Sequence, residues 1–368
     1  MEILKKILVV AGPCATESRE QVLATAKEIA KLGIPMFRAG VWKPRTLPGG
    51  FEGIGAEALQ WLQEVQKSTK MSVAVEVARA EHVRLSLNAG ISTLWLGSRT
   101  TSNPFAVQEI ADAIAPYLKH NSKIKVLVKN PLTPDTDLWS GAVERIKNAG
   151  VNEIVLVHRG FTSYERSIFR NVPLWSIALQ MHKRYPALPL LCDPSHIAGN
   201  RKYIEQISQQ ALDLAFDGLM VEVHNNPNTA LSDASQQLSP AELEQMLYNL
   251  KIKEDTPLDS KEKVANNKGD TKKLHIKDIG LLREEIDQID SKILSLLAER
   301  IEVAKRIGEY KKENDMPLYQ DDRHNTMLEQ RAEDGAQKGL SKEFVKRLME
   351  VIHSESLENQ INNDSKKS

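Results

Sequence analysis

The sequence predicts a (β/α)8 TIM barrel followed by an all-α helical domain, and three observations predict it. Eight short runs rich in Val, Ile and Leu punctuate the first 224 residues, each followed by a helix-compatible segment. No Gly-x-Gly-x-x-Gly turn follows the first run, which disfavours an open doubly wound sheet. Past a polar stretch at 251–273 the apolar residues take up a helical period. The expected layout is therefore a barrel over 1–250, a linker over 251–273 and a helical domain over 274–368.

The runs, in order, are Ile7–Val10, Pro35–Arg38, Ser72–Val77, Thr93–Leu96, Ile124–Val128, Glu153–Val157, Leu188–Cys192 and Gly218–Val223. Each ends on or near a polar group: Cys14; Arg38 with Lys43 and Arg45; Glu76; Arg99; Lys129; Arg159; Asp193 with His196; and Glu222. Barrel enzymes assemble their sites from the carboxyl ends of the strands. A single arginine there is usually a solvated loop residue, but eight consecutive polar ends call for a common site.

Bulk composition narrows the class. Lys plus Arg number 49 and Asp plus Glu 49, so no net field favours nucleic acid or a membrane surface. Two cysteines, Cys14 and Cys192, make a disulfide framework implausible and suit a reducing compartment. The apolar run behind Lys5 and Lys6 is too short for a secretory signal, and nothing approaches a membrane span. A cytoplasmic protein is expected. With no domain ahead of Cys14, regulation is expected from elsewhere in the chain.

The strand-end groups form two chemical sets. Cys14, His196, Glu222 and Asp233 offer S, N, O and O donors, which suits Mn²⁺ or a similar transition metal better than Mg²⁺ or Ca²⁺. Cys192 lies inside a run and reads as a small buried hydrophobe. Arg38, Lys43, Arg45, Arg99, Lys129 and Arg159 are all cationic. Cations converge only around an anion, and arginine forks match phosphate oxygens. Phosphorylated substrates beside a divalent ion follow.

Ala11-Gly-Pro-Cys14, Lys43-Pro-Arg-Thr46, Leu96-Gly-Ser-Arg99, His158-Arg-Gly160, Asp193-Pro-Ser-His196 and Val221-Glu-Val-His224 with Leu231-Ser-Asp233 together resemble the 3-deoxy-D-arabino-heptulosonate 7-phosphate (DAHP) synthase family, over about residues 5–250. The resemblance implies condensation of phosphoenolpyruvate with erythrose 4-phosphate, the opening step of aromatic biosynthesis. It implies Cys14, His196, Glu222 and Asp233 as metal ligands. It places Arg99, Lys129 and Arg159, with Lys43, on phosphoenolpyruvate, and Lys43, Pro44, Arg45 and Thr46 on erythrose 4-phosphate; Arg38 joins the substrate-binding residues. Two positions depart from the barrel-only subgroup: Lys129-Asn130-Pro131 stands where Lys-Arg-Gly is common, and His158 where an acid is common. The sister synthases that use arabinose 5-phosphate usually carry Asn in the Pro44-Arg45-Thr46 segment, which disfavours them.

Beyond the linker, Leu282, Ile286, Ile289, Ile293, Leu296, Val303 and Ile307 recur at four- and three-residue steps, the seam of a long helix ended by Pro317. Shorter helices are expected at about Gln320–Glu333 and Ser341–Gln360, with Asp334-Gly335 and Lys338-Gly339 between them. Arg300 occupies an apolar slot of the seam, and arginine is rarely buried unpaired. Lys311 lies about 20° round the helix and roughly 16 Å along it, so both heads can reach one small ligand, whereas Arg283 lies about 100° away.

Leu282-Arg-Glu-Glu-Ile-Asp-Gln-Ile-Asp290, Leu297-Ala-Glu-Arg300, Gly308-Glu-Tyr-Lys311, Asp322-Arg323 and Ser356 with Gln360 resemble the all-helical chorismate mutase family over about 276–362. This implies rearrangement of chorismate to prephenate in an intertwined homodimer, with Arg283 reaching into the partner's site. Arg283, Arg300 and Arg323 would bind the two carboxylates and the region of the ether oxygen. Lys311 and Gln360 would bond the ether oxygen itself, with Ser356 nearby. His324 stands where the family commonly has Glu. The expectation is a bifunctional enzyme whose synthase is inhibited by chorismate or prephenate bound at the helical domain. The alternative makes that domain a sensing module without catalysis.

Overall fold

The computed structural model describes residues 2–43, 49–119, 123–163, 167–252, 276–314, 316 and 321–362, the side chains of 276–278, 321–324 and 361–362 excepted. The chain divides into two compact units, Met1–Asp255 and Thr256–Ser368.

In the first unit eight parallel strands close into a barrel in sequence order. They are β1 (Leu8–Gly12), β2 (Met36–Ala39), β3 (Ser72–Val77), β4 (Thr93–Leu96), β5 (Lys125–Lys129), β6 (Glu153–His158), β7 (Leu190–Cys192) and β8 (Gly218–Glu222). Several begin or end one or two residues from the expected positions; β5 and β6 run on to include Lys129 and His158. Helices between the strands bury their apolar faces against the outside of the barrel in a continuous core that includes Ile29, Leu62, Ile110, Trp139 and Ile207. Polar caps set where helices begin: the Ser239 hydroxyl accepts from Glu242 N–H while Glu242 reaches back to Ser239 N–H, a reciprocal capping box.

The strand period of two sorts the side chains. Val10, Met36, Ala74, Trp95, Leu127, Val155, Val157, Leu191 and Met220 fill the barrel interior. Two residues further along six of the strand paths lie Arg38, Glu76, Lys129, Arg159, Asp193 and Glu222, a charged layer directly above the apolar plug. On the two remaining paths the same step falls on Gly12 and Gly97. A Cβ at Gly12 would lie 2.0 Å from the Arg38 carbonyl oxygen, and one at Gly97 2.0 Å from Glu76 Oε1. Gly12 leaves no room for a side chain against that backbone, and at Gly97 the space is taken by the Glu76 carboxylate.

The described residues of the second unit form three helices, Ile276–Glu313, Asp321–Gln337 and Lys342–Asn362. The Asp334-Gly335 pair expected between helices lies inside the second one. Gly335 serves packing there, since a Cβ would come within 2.4 Å of Val345 Cγ2 on the third helix. The stop comes later, where Gly339 takes φ +82. Pro317 lies outside the described residues. Thirty-eight residues make the first helix about 57 Å long. The third helix packs on its carboxy-terminal half, where Gly308 admits Gln360 at close range and Gln360 Nε2 donates to Ala304 O at 2.9 Å. Every residue from 279 to 296 is exposed. The expected seam is bare along its whole length: Leu282, Ile286, Ile289, Ile293, Leu296, Val303 and Ile307 are all 43–64 % exposed, and the third helix packs instead on the neighbouring Ala304 and Gly308.

Candidate active site

The mouth of the barrel holds a cavity of about 320 Å³. Buried Trp95 supports two of the lining cations: the Arg38 guanidinium carbon lies 5.0 Å and Lys129 Nζ 6.0 Å from its ring centre, both within cation–π reach. Arg38, Lys43, Arg99, Lys129 and Arg159 all line the cavity, as expected. Pro44, Arg45 and Thr46 lie outside the described residues.

The buried charges are partly cross-paired. Arg38 Nη2 donates to Glu222 Oε1 at 3.1 Å, and Lys129 Nζ to Asp193 Oδ2 at 2.5 Å. Arg38 Nε and Nη1 have no hydrogen-bond partner among the described residues. Arg159, also buried, donates to the neutral Asn171 Oδ1 at 2.6 Å, and no carboxylate among the described residues pairs with it. Burial consequently lowers its pKa to about 10 despite the nearby Asp193. Burial also lowers that of Lys129, with Asp193 pulling the other way. Removing one partner of such pairs is costly, and unsatisfied guanidinium groups at a cavity wall favour an anionic ligand.

Behind the cations, Cys14, Glu222 and Asp233 place one ligand atom each within 4.8 Å of one another, so these three can share a metal ion. The fourth expected donor, His196, presents Nε2 3.8 Å from Glu222 Oε1, while its Nδ1 lies 2.8 Å from Asp193 Oδ2. That contact leaves Nε2 as the nitrogen facing the cluster. A thiol, two carboxylates and an imidazole fit a borderline divalent ion. Burial, reinforced by Glu222, pushes the Cys14 thiol up to about 12. Burial would raise the Glu222 carboxyl, but His196 and Arg38 outweigh it and hold the group below its ordinary value. Asp233 is likewise held low against burial, chiefly by Arg170.

Several site residues carry no expected role. Asp193 is legible as the start of its motif, yet its position between Lys129 and His196 is a tertiary fact. Glu76 is legible as a strand end but belongs to neither expected set; it lines the cavity as a carboxylate. Arg170 and Asn171 give no spacing signal, being eleven and twelve residues beyond Arg159. The segment returns because Phe161 and Val172 exchange backbone hydrogen bonds of 2.8 and 2.9 Å. Arg170 then lines the cavity, and Asn171 joins Arg159 to the His196 carbonyl. The His158 side chain points the other way, into a cage of Trp139, Phe161, Trp175 and Phe216.

Residues 5–257 match the model of the DAHP synthetase I family. The chain belongs to that family. Over 244 residues it is 28 % identical to a phospho-2-dehydro-3-deoxyheptonate aldolase of Thermotoga maritima, covering 66 % of this chain and 68 % of the relative. A crystal structure of Thermotoga maritima DAHP synthase superposes with TM-score 0.58 at 28 % identity, covering 66 % and 67 % of the two chains. A 2-dehydro-3-deoxyphosphooctonate aldolase of Geobacter sulfurreducens is 24 % identical over 270 residues, 67 % of this chain and 92 % of that one. The DAHP synthetase I region is followed by a second match, residues 282–361 to chorismate mutase type II.

In the helical unit, Arg300 Nη1 donates to Ser356 Oγ at 2.6 Å and to the Ile352 carbonyl at 3.4 Å, and burial lowers its pKa. Gln360 lies on the same inner face. Arg283 is exposed on the bare half of the first helix. Lys311 lies past Gly308 towards the end of that helix. The side chains of Arg323 and His324 lie outside the described residues.

Proposed function

We propose that the barrel condenses phosphoenolpyruvate with erythrose 4-phosphate to give DAHP, and that the helical unit rearranges chorismate to prephenate. The observation carrying the first half is a cavity lined by six cations, Arg170 included, above a Cys14, Glu222 and Asp233 cluster. Arg99, Lys129 and Arg159, with Lys43, hold the phosphate and carboxylate of phosphoenolpyruvate, and Arg38 adds two donors. The Lys43–Thr46 segment takes the sugar phosphate. Held together, these anions react as one assembled complex and not by diffusive encounter. A Mn²⁺-like ion on Cys14, His196, Glu222 and Asp233 would supply Lewis acidity towards the sugar aldehyde oxygen. Asp193 keeps Lys129 and His196 in place, and the buried cations meet negative charge where water screens little. Complete removal of divalent ions, followed by assay with and without added Mn²⁺, tests the reading; full activity in the metal-free protein would refute the ligand assignment.

For the helical unit, Arg300 in an apolar slot supports an anion site, completed by Lys311, Arg323, Gln360 and Ser356. The bare stripe from Leu282 to Leu296 supports a homodimer in which each long helix covers the other's and Arg283 enters the partner's site. Full burial of one such side chain contributes roughly 1.5–3 kcal/mol, so five per chain suffice to hold a dimer. A helical unit that binds chorismate or prephenate without turnover needs the same arginines; measured mutase turnover separates the two. In either case bound ligand is expected to lower synthase activity.

A further inference from the structure

We propose that Arg170 is a positioning residue that aims the Asp233 carboxylate at the Cys14–Glu222 cluster, an inference that rests on the metal reading above. Asp233 has two oxygens with different neighbours. Arg170 Nη1 donates to Oδ1 at 2.9 Å, whereas Oδ2 lies 3.2 Å from Cys14 Sγ. Holding one oxygen from outside turns the other inward.

Arg170 is itself fixed at both ends. Its Nη1 also donates to Gln236 Oε1 at 2.7 Å, and Gln236 Nε2 donates to Glu222 Oε2 at 2.7 Å. One guanidinium thus reaches Asp233 directly and Glu222 through a buried amide. Its stem lies on Gly199, where a Cβ would come within 2.4 Å of Arg170 Cβ and φ is +66. Gly199 caps the helix Pro194–Ala198, which carries His196. Three of the four donors are therefore tied to Arg170 or to the turn on which it rests.

Charge and geometry predict opposite results. A cation beside a metal ligand repels an incoming divalent ion, so its loss would by Coulomb's law tighten binding. If positioning dominates, its loss weakens binding, as removal of a partner that orients a metal ligand usually does, by about 10–100-fold. We expect positioning to dominate. The test titrates Mn²⁺ into the full, chelator-stripped chain, reading free Mn²⁺ by electron paramagnetic resonance, with thermal unfolding as the folding control. Arg170→Gln is expected to bind Mn²⁺ about tenfold more weakly than the parent, and Arg170→Lys within about threefold. Equal or tighter binding by Arg170→Gln would overturn the inference. If Arg170→Gln does not fold, Arg170→Met, which keeps the stem on Gly199 and removes only the guanidinium, takes its place; weaker binding supports positioning and equal or tighter binding overturns it. A parent chain that binds no stoichiometric Mn²⁺ would instead remove the metal reading on which the inference rests.

Discussion

The barrel and the helical unit both gather cations, under different boundary conditions. In the barrel, Arg38, Lys129 and Arg159 are buried by their own chain, and two of them have a carboxylate within hydrogen-bond reach. In the helical unit, Arg300 is half-buried against Ser356 while Arg283 and the seam around it face solvent. A closed barrel encloses its mouth because eight strands meet there. A single helix about 57 Å long cannot cover its own sides. A barrel site can thus be complete within one chain, whereas in the proposed homodimer the helical site would take Arg283 from a second copy.

The largest effect should come from removing the proposed metal ion. Chelation is expected to abolish synthase activity and Mn²⁺ to restore it, and Cys14→Ser should greatly weaken metal binding while mutase turnover survives. Loss of both activities in Cys14→Ser would erase the contrast between a self-contained and a separate site. Next, Arg159→Ala should lower synthase kcat/KM by about a hundredfold, since a hydrogen bond to a charged group is worth ~1.5–3 kcal/mol and the substrate anion would be left unmatched. Steady-state kinetics in phosphoenolpyruvate would show it.

Complementation between mutants compares the two kinds of site directly. Arg283→Ala and Arg300→Ala should each nearly abolish mutase turnover. Unfolded and refolded together, they should regain activity, because one site of a mixed dimer receives both alanines and the other neither. Silence despite demonstrated mixed dimers would place the whole site in one chain. A smaller effect is expected in regulation: the truncation 1–252 should lose its response to chorismate or prephenate, a coupling of about 1–3 kcal/mol being ordinary. Undiminished sensitivity would put the sensor in the barrel.

A further effect, on stability and not on either activity, comes from a buried histidine. Burial in its aromatic cage lowers the His158 pKa to about 3. The unfolded chain, with an ordinary value near 6.5, therefore takes up the proton first as pH falls. This contribution is fully present above about pH 6.5 and is lost as pH drops towards about 3, at up to ~1.4 kcal/mol per pH unit. His158→Phe should flatten the acid limb of a denaturation series over that window; an unchanged slope would show that His158 is not responsible.

The eight-strand order, the charged strand ends and the helical seam are all legible in the sequence, because periods of 2 and 3.6 and buried apolar runs are local properties of a chain. So is the composition of the site: Cys14, Arg38, Lys129, Arg159 and Glu222 lie on or just beyond strands whose alternation fixes their direction. The helix running through Asp334-Gly335 is not, because a glycine that admits Val345 looks, in sequence, like one that ends a helix. Arg170 and Asn171 escape a sequence reading because a long βα loop carries no period, and only the Phe161–Val172 pairing brings its far end back to the mouth. The tertiary structure also decides which oxygen of Asp233 faces Cys14, that Asp193 lies between Lys129 and His196, and that the predicted seam is left bare by its own helices. Local periodicity fixes which face a residue lies on, but contacts between residues distant in sequence depend on how whole elements close upon one another, and no local pattern encodes that.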